Sequence, residues 1–164
     1  WIPSRELRDL RDLPRTRMLL VRQRTQLKNR IHATCAKYAL VIPCTDVFGK
    51  RGRETLLQKL QELPPQTAFT TMCLLNQIDA LNEQIARIES RMGDLFEVTE
   101  EVSLLMTIPG VGFILAVVIF TEAGDPGRFG RTEQFASYSG MVPRVHESGG
   151  RRRYGPLRSD VTTT

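Results

Sequence analysis

Cysteine is scarce in this chain: Cys35, Cys44 and Cys73 make an odd number, and none of them shares a Cys-x-x-Cys spacing. This excludes a disulfide framework and a cysteine-built zinc site, and it reads as a set of reduced cytosolic thiols. Histidine is scarcer, with only His32 and His146, far apart in sequence. Long apolar runs are missing too. The longest, Phe113 to Phe120, has eight residues, well short of the eighteen or so a membrane span needs, so neither a span nor a signal peptide is expected. The chain starts at Trp1 rather than Met and ends on Thr162-Thr163-Thr164, which reads as an internal segment of a longer protein.

What is present is charge, unevenly spread. At 164 residues and 41% hydrophobic content, the chain fits one domain, or a small domain with a long helical extension. Residues 5–37 hold ten Lys/Arg against three acids, residues 38–143 eight against thirteen, and residues 144–164 five against two. Both ends are basic and the middle is acidic, a pattern that favours a polyanion met at two places over an ordinary solvated basic helix.

Strong helix formers run from Ser4 to about Leu40, with Leu20, Leu27 and Ile31 on one stripe. Pro14 is expected to open the main helix at its first turn, leaving Ser4 to Leu13 as a lead-in. Residues 41–67 read as a connector with a short helix, Arg53 to Leu63. From Phe69 to Phe96 the residues Leu74, Ile78, Leu81, Ile85, Ile88, Met92 and Leu95 recur at steps of four and three. That spacing is a coiled-coil seam. Its partner is either the basic helix folded back or a second subunit, and the length of the connector favours an antiparallel pair within the chain, with dimerisation possible on top.

Two short helices, Glu100 to Thr107 and Phe113 to Ala123, flank the turn Ile108-Pro109-Gly110-Val111-Gly112. This is what a helix-hairpin-helix needs: proline stops the first helix, and glycines let backbone N–H groups approach a phosphate. The bland reading is a packing unit whose glycines only permit close approach. A further helix, Thr132 to Tyr138 with Thr132 as its N-cap, follows the turn Gly124-Asp125-Pro126-Gly127. The stretch 144–164 has too few apolar residues for a core and reads as a loop or hairpin. Within it, Ser148 precedes two glycines and Arg151-Arg152-Arg153. A serine hydroxyl can attack a phosphodiester when arginines neutralise the developing charge. His146 could serve as a base, although phosphate contact suits it better.

Read as a whole, the chain resembles the transposases of the "IS one-ten" insertion-sequence family, which includes pilin-gene invertases. The resemblance rests on Trp1 to Leu10, Leu27-Lys28-Asn29-Arg30-Ile31-His32, Leu105 to Gly112, Gly124-Asp125 with Arg128-Phe129, Tyr138 to Pro143, and Ser148-Gly149-Gly150. It implies a recombinase with an N-terminal RuvC-like domain of four acidic metal ligands, absent from this chain, followed by a coiled coil and a domain with a nucleophilic serine. By motif position that serine is Ser148, with Ser139 as the competitor. The resemblance also implies Mg²⁺ in the absent domain, a structured guide RNA, DNA as substrate and a bacterial, nucleoid-associated protein. It gives no ground for making Asp125, Glu122 or Glu147 a metal ligand.

The expected fold is all-α: a long antiparallel helical hairpin over residues 1–98, then a compact helix-hairpin-helix domain over 99–164 with a basic irregular tail. The expected function is DNA strand cleavage and transfer through Ser148, with DNA held by Gly110, Val111, Gly112, Arg144, Arg151, Arg152 and Arg153, no metal or cofactor in this segment, and homo-oligomers formed through the coiled coil. The alternatives are a non-catalytic DNA-binding and oligomerisation module, and a degenerate copy without function.

Overall fold

The computed structural model describes residues 2–140 and 145–155. Within them the chain is mostly helical: α1 (Arg5–Lys37), α2 (Lys50–Lys59), α3 (Pro65–Leu95), α4 (Glu100–Met106), α5 (Phe113–Ala123) and α6 (Thr132–Tyr138), then a two-stranded hairpin of β1 (Val145–Ser148) and β2 (Arg151–Tyr154). The all-α expectation holds, and the tail expected to be irregular contains a regular hairpin. The chain divides into two compact units, Trp1–Glu122 and Ala123–Thr164.

In the first unit, α1 and α3 pair antiparallel within the chain. Arg17 bonds to Glu89, Arg24 to Asn82, and the Tyr38 hydroxyl lies 3.3 Å from that of Thr67. One heptad forward on α1 thus meets about one heptad back on α3, which is how two straight helices with matching stripes register. The buried residues of α3 are Thr71, Leu75, Ile78, Leu81, Ile85 and Met92, followed by Phe96 just past its end. The expected seam is right in its middle and slips at both ends: Leu75 rather than Leu74 is fully buried, and Leu95 is 41% exposed. A straight helix of 3.6 residues per turn drifts off a strict seven-residue repeat, so the apolar residues at the ends rotate out of the seam.

Each end of the pair has its own apolar cluster. At one, Ile31 and Cys35 of α1 meet Leu75 and Ile78 of α3 under a cover of Leu56, Leu60 and Leu63 from α2 and the turn after it. Burial there pushes the Cys35 thiol up from its ordinary range, so it stays protonated. At the other, Met92 and Phe96 pack with Val117 of α5, and Leu10, Leu13, Phe113 and Ile114 close around them.

Pro14 corrects the expected start of α1. The helix begins at Ser4, whose hydroxyl accepts from the Leu7 N–H, and it runs through Pro14 without a break. A proline inside a helix costs about 3 kcal/mol. The contacts around it offset that cost: Pro14 is fully buried, and Leu10 and Leu13 beside it join the second apolar cluster.

Arg11 adds a polar clamp. It is only 6% exposed; its Nε donates to the Thr121 carbonyl at 2.7 Å and its Nη2 to the Glu122 carbonyl at 3.0 Å. Those are last-turn carbonyls of α5, which lack partners within their own helix, and a guanidinium is favoured at that end of the helix dipole. Arg15 closes the arrangement with a two-pronged bond to the Glu122 carboxylate, at 2.6 and 2.9 Å. Replacing Arg11 by Met should lower the stability of the chain by about 2–4 kcal/mol in urea unfolding, because buried carbonyls lose a charged donor. Glu122→Gln, which weakens the more exposed Arg15 pair, should cost no more than about 1 kcal/mol.

Candidate nucleic-acid interface

The turn between α4 and α5 is a type II turn. The Val111 N–H donates to the Ile108 carbonyl at 3.0 Å, Pro109 occupies the first central position, and Gly110 the second with φ +87°. That geometry calls for proline and then glycine, as the sequence has them. Gly112 is the N-cap of α5, since its carbonyl accepts from the Ala116 N–H at 2.9 Å. The N–H groups of Phe113, Ile114 and Leu115 therefore have no acceptor within the helix. A side-chain carbon at Gly110 or Gly112 would meet nothing within 4 Å. The glycines are not needed for tight packing here, and they leave the surface in front of these amides open. Val111 shapes the turn, its N–H being taken up in closing it.

In the second unit, the Asp125 carboxylate accepts from the Gly127 N–H at 2.8 Å and fixes the turn that leads to α6. The Arg128 guanidinium stacks 4.1 Å from the Phe129 ring and 4.3 Å from that of Tyr138, and its Nε donates to the Ala123 carbonyl. Phe135 meets Phe129 edge-on. A cation over two aromatic rings thus organises a unit whose helix buries no side chain fully. Thr132 is not the N-cap of α6. That position is Arg131, and the helix entry is held instead by the Gln134 side chain accepting from the Gly130 N–H at 2.8 Å.

The hairpin pairs Val145 with Tyr154, His146 with Arg153, Glu147 with Arg152, and Ser148 with Arg151, around Gly149 and Gly150 at φ +58° and +74°. Two successive positive φ angles make the turn whose twist suits a two-residue hairpin. Cross-strand partners share a face and neighbours along a strand alternate. Ser148 and Arg151 therefore share one face, and so, a pair further back, do His146 and Arg153, all of them exposed. Glu147 and Arg152 lie on the other, joined by an ion pair of 3.0 Å. Ser139, the competitor, sits half-buried at the end of α6, where its hydroxyl donates to the Ala136 carbonyl at 2.9 Å. Arg144 lies outside the described residues.

Among the described residues no group of three or more His, Cys, Asp or Glu side chains is placed to hold a metal ion. Glu122, Asp125 and Glu147 are instead bonded to Arg15, the Gly127 amide and Arg152. No helix is long and apolar enough to cross a membrane, again among the described residues.

The sequence model of the transposase IS116/IS110/IS902 family matches residues 102–161, which hold the turn, α6 and the hairpin. Over those residues the chain is similar to this family. A Pseudomonas aeruginosa protein described as "Probable family 20 transposase" is 28% identical over 95% of the chain and 47% of its own length. The transposase for insertion sequence element IS1111A of Coxiella burnetii is 28% identical over 88% of the chain and 40% of its own length. The one for IS1328 of Yersinia enterocolitica is 31% identical over 85% and 41%. The chain thus spans less than half the length of these relatives. No solved structure matches it. The Arg11–Glu122 clamp and the ring stack of Arg128 were not foreseen from the sequence; Arg11 stands between Asp9 and Asp12 and Arg128 three residues after Asp125, which gave no sign of carbonyl or ring partners.

The turn predicts two opposite stability effects. Gly110→Ala should cost about 1 kcal/mol, because an L side chain is strained at φ +87°. Gly112→Ser should leave the midpoint of thermal unfolding unchanged or raise it slightly, since serine is a good N-cap and the space in front of it is open.

Proposed function

We propose that this chain is the DNA-handling part of a transposase that cuts and joins strands through Ser148. The observation that carries this reading is the hairpin register, which puts Ser148 across from Arg151 on one exposed face with His146 and Arg153. A phosphodiester laid on that face meets the Ser148 hydroxyl with two guanidinium groups beside it. In the proposed step the Oγ–P bond forms as the bond from phosphorus to one sugar oxygen breaks. The hydroxyl proton passes to a base, for which His146, on the same face of the hairpin, is the candidate, and the departing sugar oxygen takes up a proton. The phosphodiester energy is kept in the serine ester, ready for transfer to another strand. Arg151 and Arg153 offset the negative charge that grows on the phosphorane.

The α4–α5 turn supports the same reading as a grip on the backbone, with Gly110 and Gly112 clearing the way to the amides at the start of α5 and so holding DNA without reading its bases. Arg144, outside the described residues, is assigned to phosphate contact in its own right. Arg152, already paired with Glu147, contributes less than its neighbours. A metal-dependent RuvC-like domain using Mg²⁺ and a guide RNA belong, in this reading, to the complete assembly. Copies of the chain associate in this reading through a flank of the helical pair rather than through the α1–α3 seam, which is already filled within the chain.

In the complete transposase with its nucleic acids, Ser148→Ala should abolish the covalent protein–DNA adduct seen on a denaturing gel while leaving binding nearly intact. An adduct that persists would sink the catalytic assignment. Failure of the wild type to form one would favour a binding module instead. Gly112→Ser should weaken DNA binding although the fold is intact, by filling the space over the free amides.

A further inference from the structure

The outer face of α1 is used neither by the fold nor by the proposed chemistry. From Leu13 to Thr45 the sequence has seven Lys/Arg and not one Asp or Glu. Four of the seven are tied to other parts of the fold: Arg15 holds Glu122, Arg17 holds Glu89, Arg24 bonds to Asn82, and Lys28 lies over the Phe48 ring. The other three are Arg22, Arg30 and Lys37, all exposed. Lys37 rests 5.2 Å from the ring of its neighbour Tyr38, which leaves its charge in solvent. The three follow one another at steps of eight and seven residues, about two turns of helix each, so they line one face opposite the seam. Leu19, Gln26 and Ala33 lie on the same face.

An ordinary solvated helix face mixes signs. The outer face of α3 does so, with Glu83, Arg87, Arg91 and Asp94 interspersed. A stripe of one sign, about 22 Å long and carried on a helix anchored at both ends, repels itself and attracts a partner of the opposite sign. A membrane surface does not suit it, because the apolar side of α1 is already spent on the core. A protein partner would look for a cluster of aromatic or methionine anchors; Met18 and Leu19 are exposed just before Arg22, and no Met, Phe, Tyr or Trp lies between Arg22 and Lys37. A regular line of phosphates fits. We propose that the outer face of α1 binds the phosphate backbone of a nucleic-acid duplex through Arg22, Arg30 and Lys37, as a second surface independent of the hairpin.

The test is the salt dependence of binding by the 164-residue chain to a mixed-sequence duplex, prepared once as DNA and once as RNA. Removing one phosphate-binding cation should lower the slope of log K against log salt by about 0.9 on DNA. The triple variant Arg22→Gln, Arg30→Gln, Lys37→Gln should therefore reduce that slope by about two to three on at least one duplex, with its circular dichroism spectrum and unfolding midpoint preserved. A reduction on both duplexes marks a backbone surface common to the two; a reduction on one assigns the surface to that nucleic acid. The pair Arg87→Gln, Arg91→Gln on α3 should leave the slope unchanged. The pair Arg151→Gln, Arg153→Gln should lower it by its own amount, adding to the effect of the α1 triple. A folded triple variant with the wild-type slope on both duplexes overturns the proposal, whatever the hairpin variants do. A hairpin pair without effect counts against the hairpin and leaves the α1 surface standing.

Discussion

A thirty-three-residue helix rich in arginine has little reason to stay folded by itself, since single helices in water depend on an apolar face finding cover. The antiparallel contact of α1 with α3 is therefore the constraint on which the rest of the first unit depends. Once Arg17 faces Glu89 and Arg24 faces Asn82, both ends of the pair are set. The connector must cap one end with α2, and the α4–α5 unit must close the other through Val117, Phe113 and Ile114. Arg11 then makes that second closure specific. Apolar packing alone tolerates sliding, whereas two hydrogen bonds to the carbonyls of Thr121 and Glu122 accept only one position of α5 along α1.

The same contact sorts the charges of α1. Residues that fall toward α3 or α5 are tied down: Arg11 and Arg15 at Glu122, Arg17 at Glu89. Beyond the acids Glu6, Asp9 and Asp12 of its first turns, Arg22, Arg30 and Lys37 are turned to solvent as a row of one sign. Had the helix paired through a different stripe, the basic side chains would have been divided otherwise, and no continuous row need have formed. The surface charge of this helix thus follows from its packing register as much as from its composition.

The helices were legible where the sequence used local signals. α5 runs from Phe113 to Ala123 as expected, and the prolines and glycines of the α4–α5 turn give its type directly. The seam on α3 was legible in its middle, at Ile78, Leu81 and Ile85, and not at its ends, where the helical period drifts from the heptad. Pro14 misled because local propensity makes proline a helix start, while burial between α1 and its neighbours overrode that preference. Arg11 was invisible for a different reason. Its partners lie over a hundred residues away and are backbone carbonyls, which carry no residue signature.

The hairpin shows how a short motif gains or loses meaning from geometry. In sequence, Arg151, Arg152 and Arg153 look equivalent, and Glu147 looks as close to Ser148 as any base could be. A strand alternates its side chains, so the order of residues separates them: the first and third arginines share the face of Ser148, while Glu147 and Arg152 neutralise each other on the other side. A free carboxylate beside the serine would repel an incoming phosphate. The alternation keeps that carboxylate off the serine's face and gives it a cation of its own, leaving a hydroxyl, an imidazole and two guanidinium groups facing the same way. For the proposed phosphoryl transfer to Ser148 that separation matters beyond the number of arginines, because a guanidinium group already paired with a carboxylate has less charge to offer the developing phosphorane. The two glycines at the tip make the separation possible, since the two-residue turn between Ser148 and Arg151 sets the register of every pair behind it.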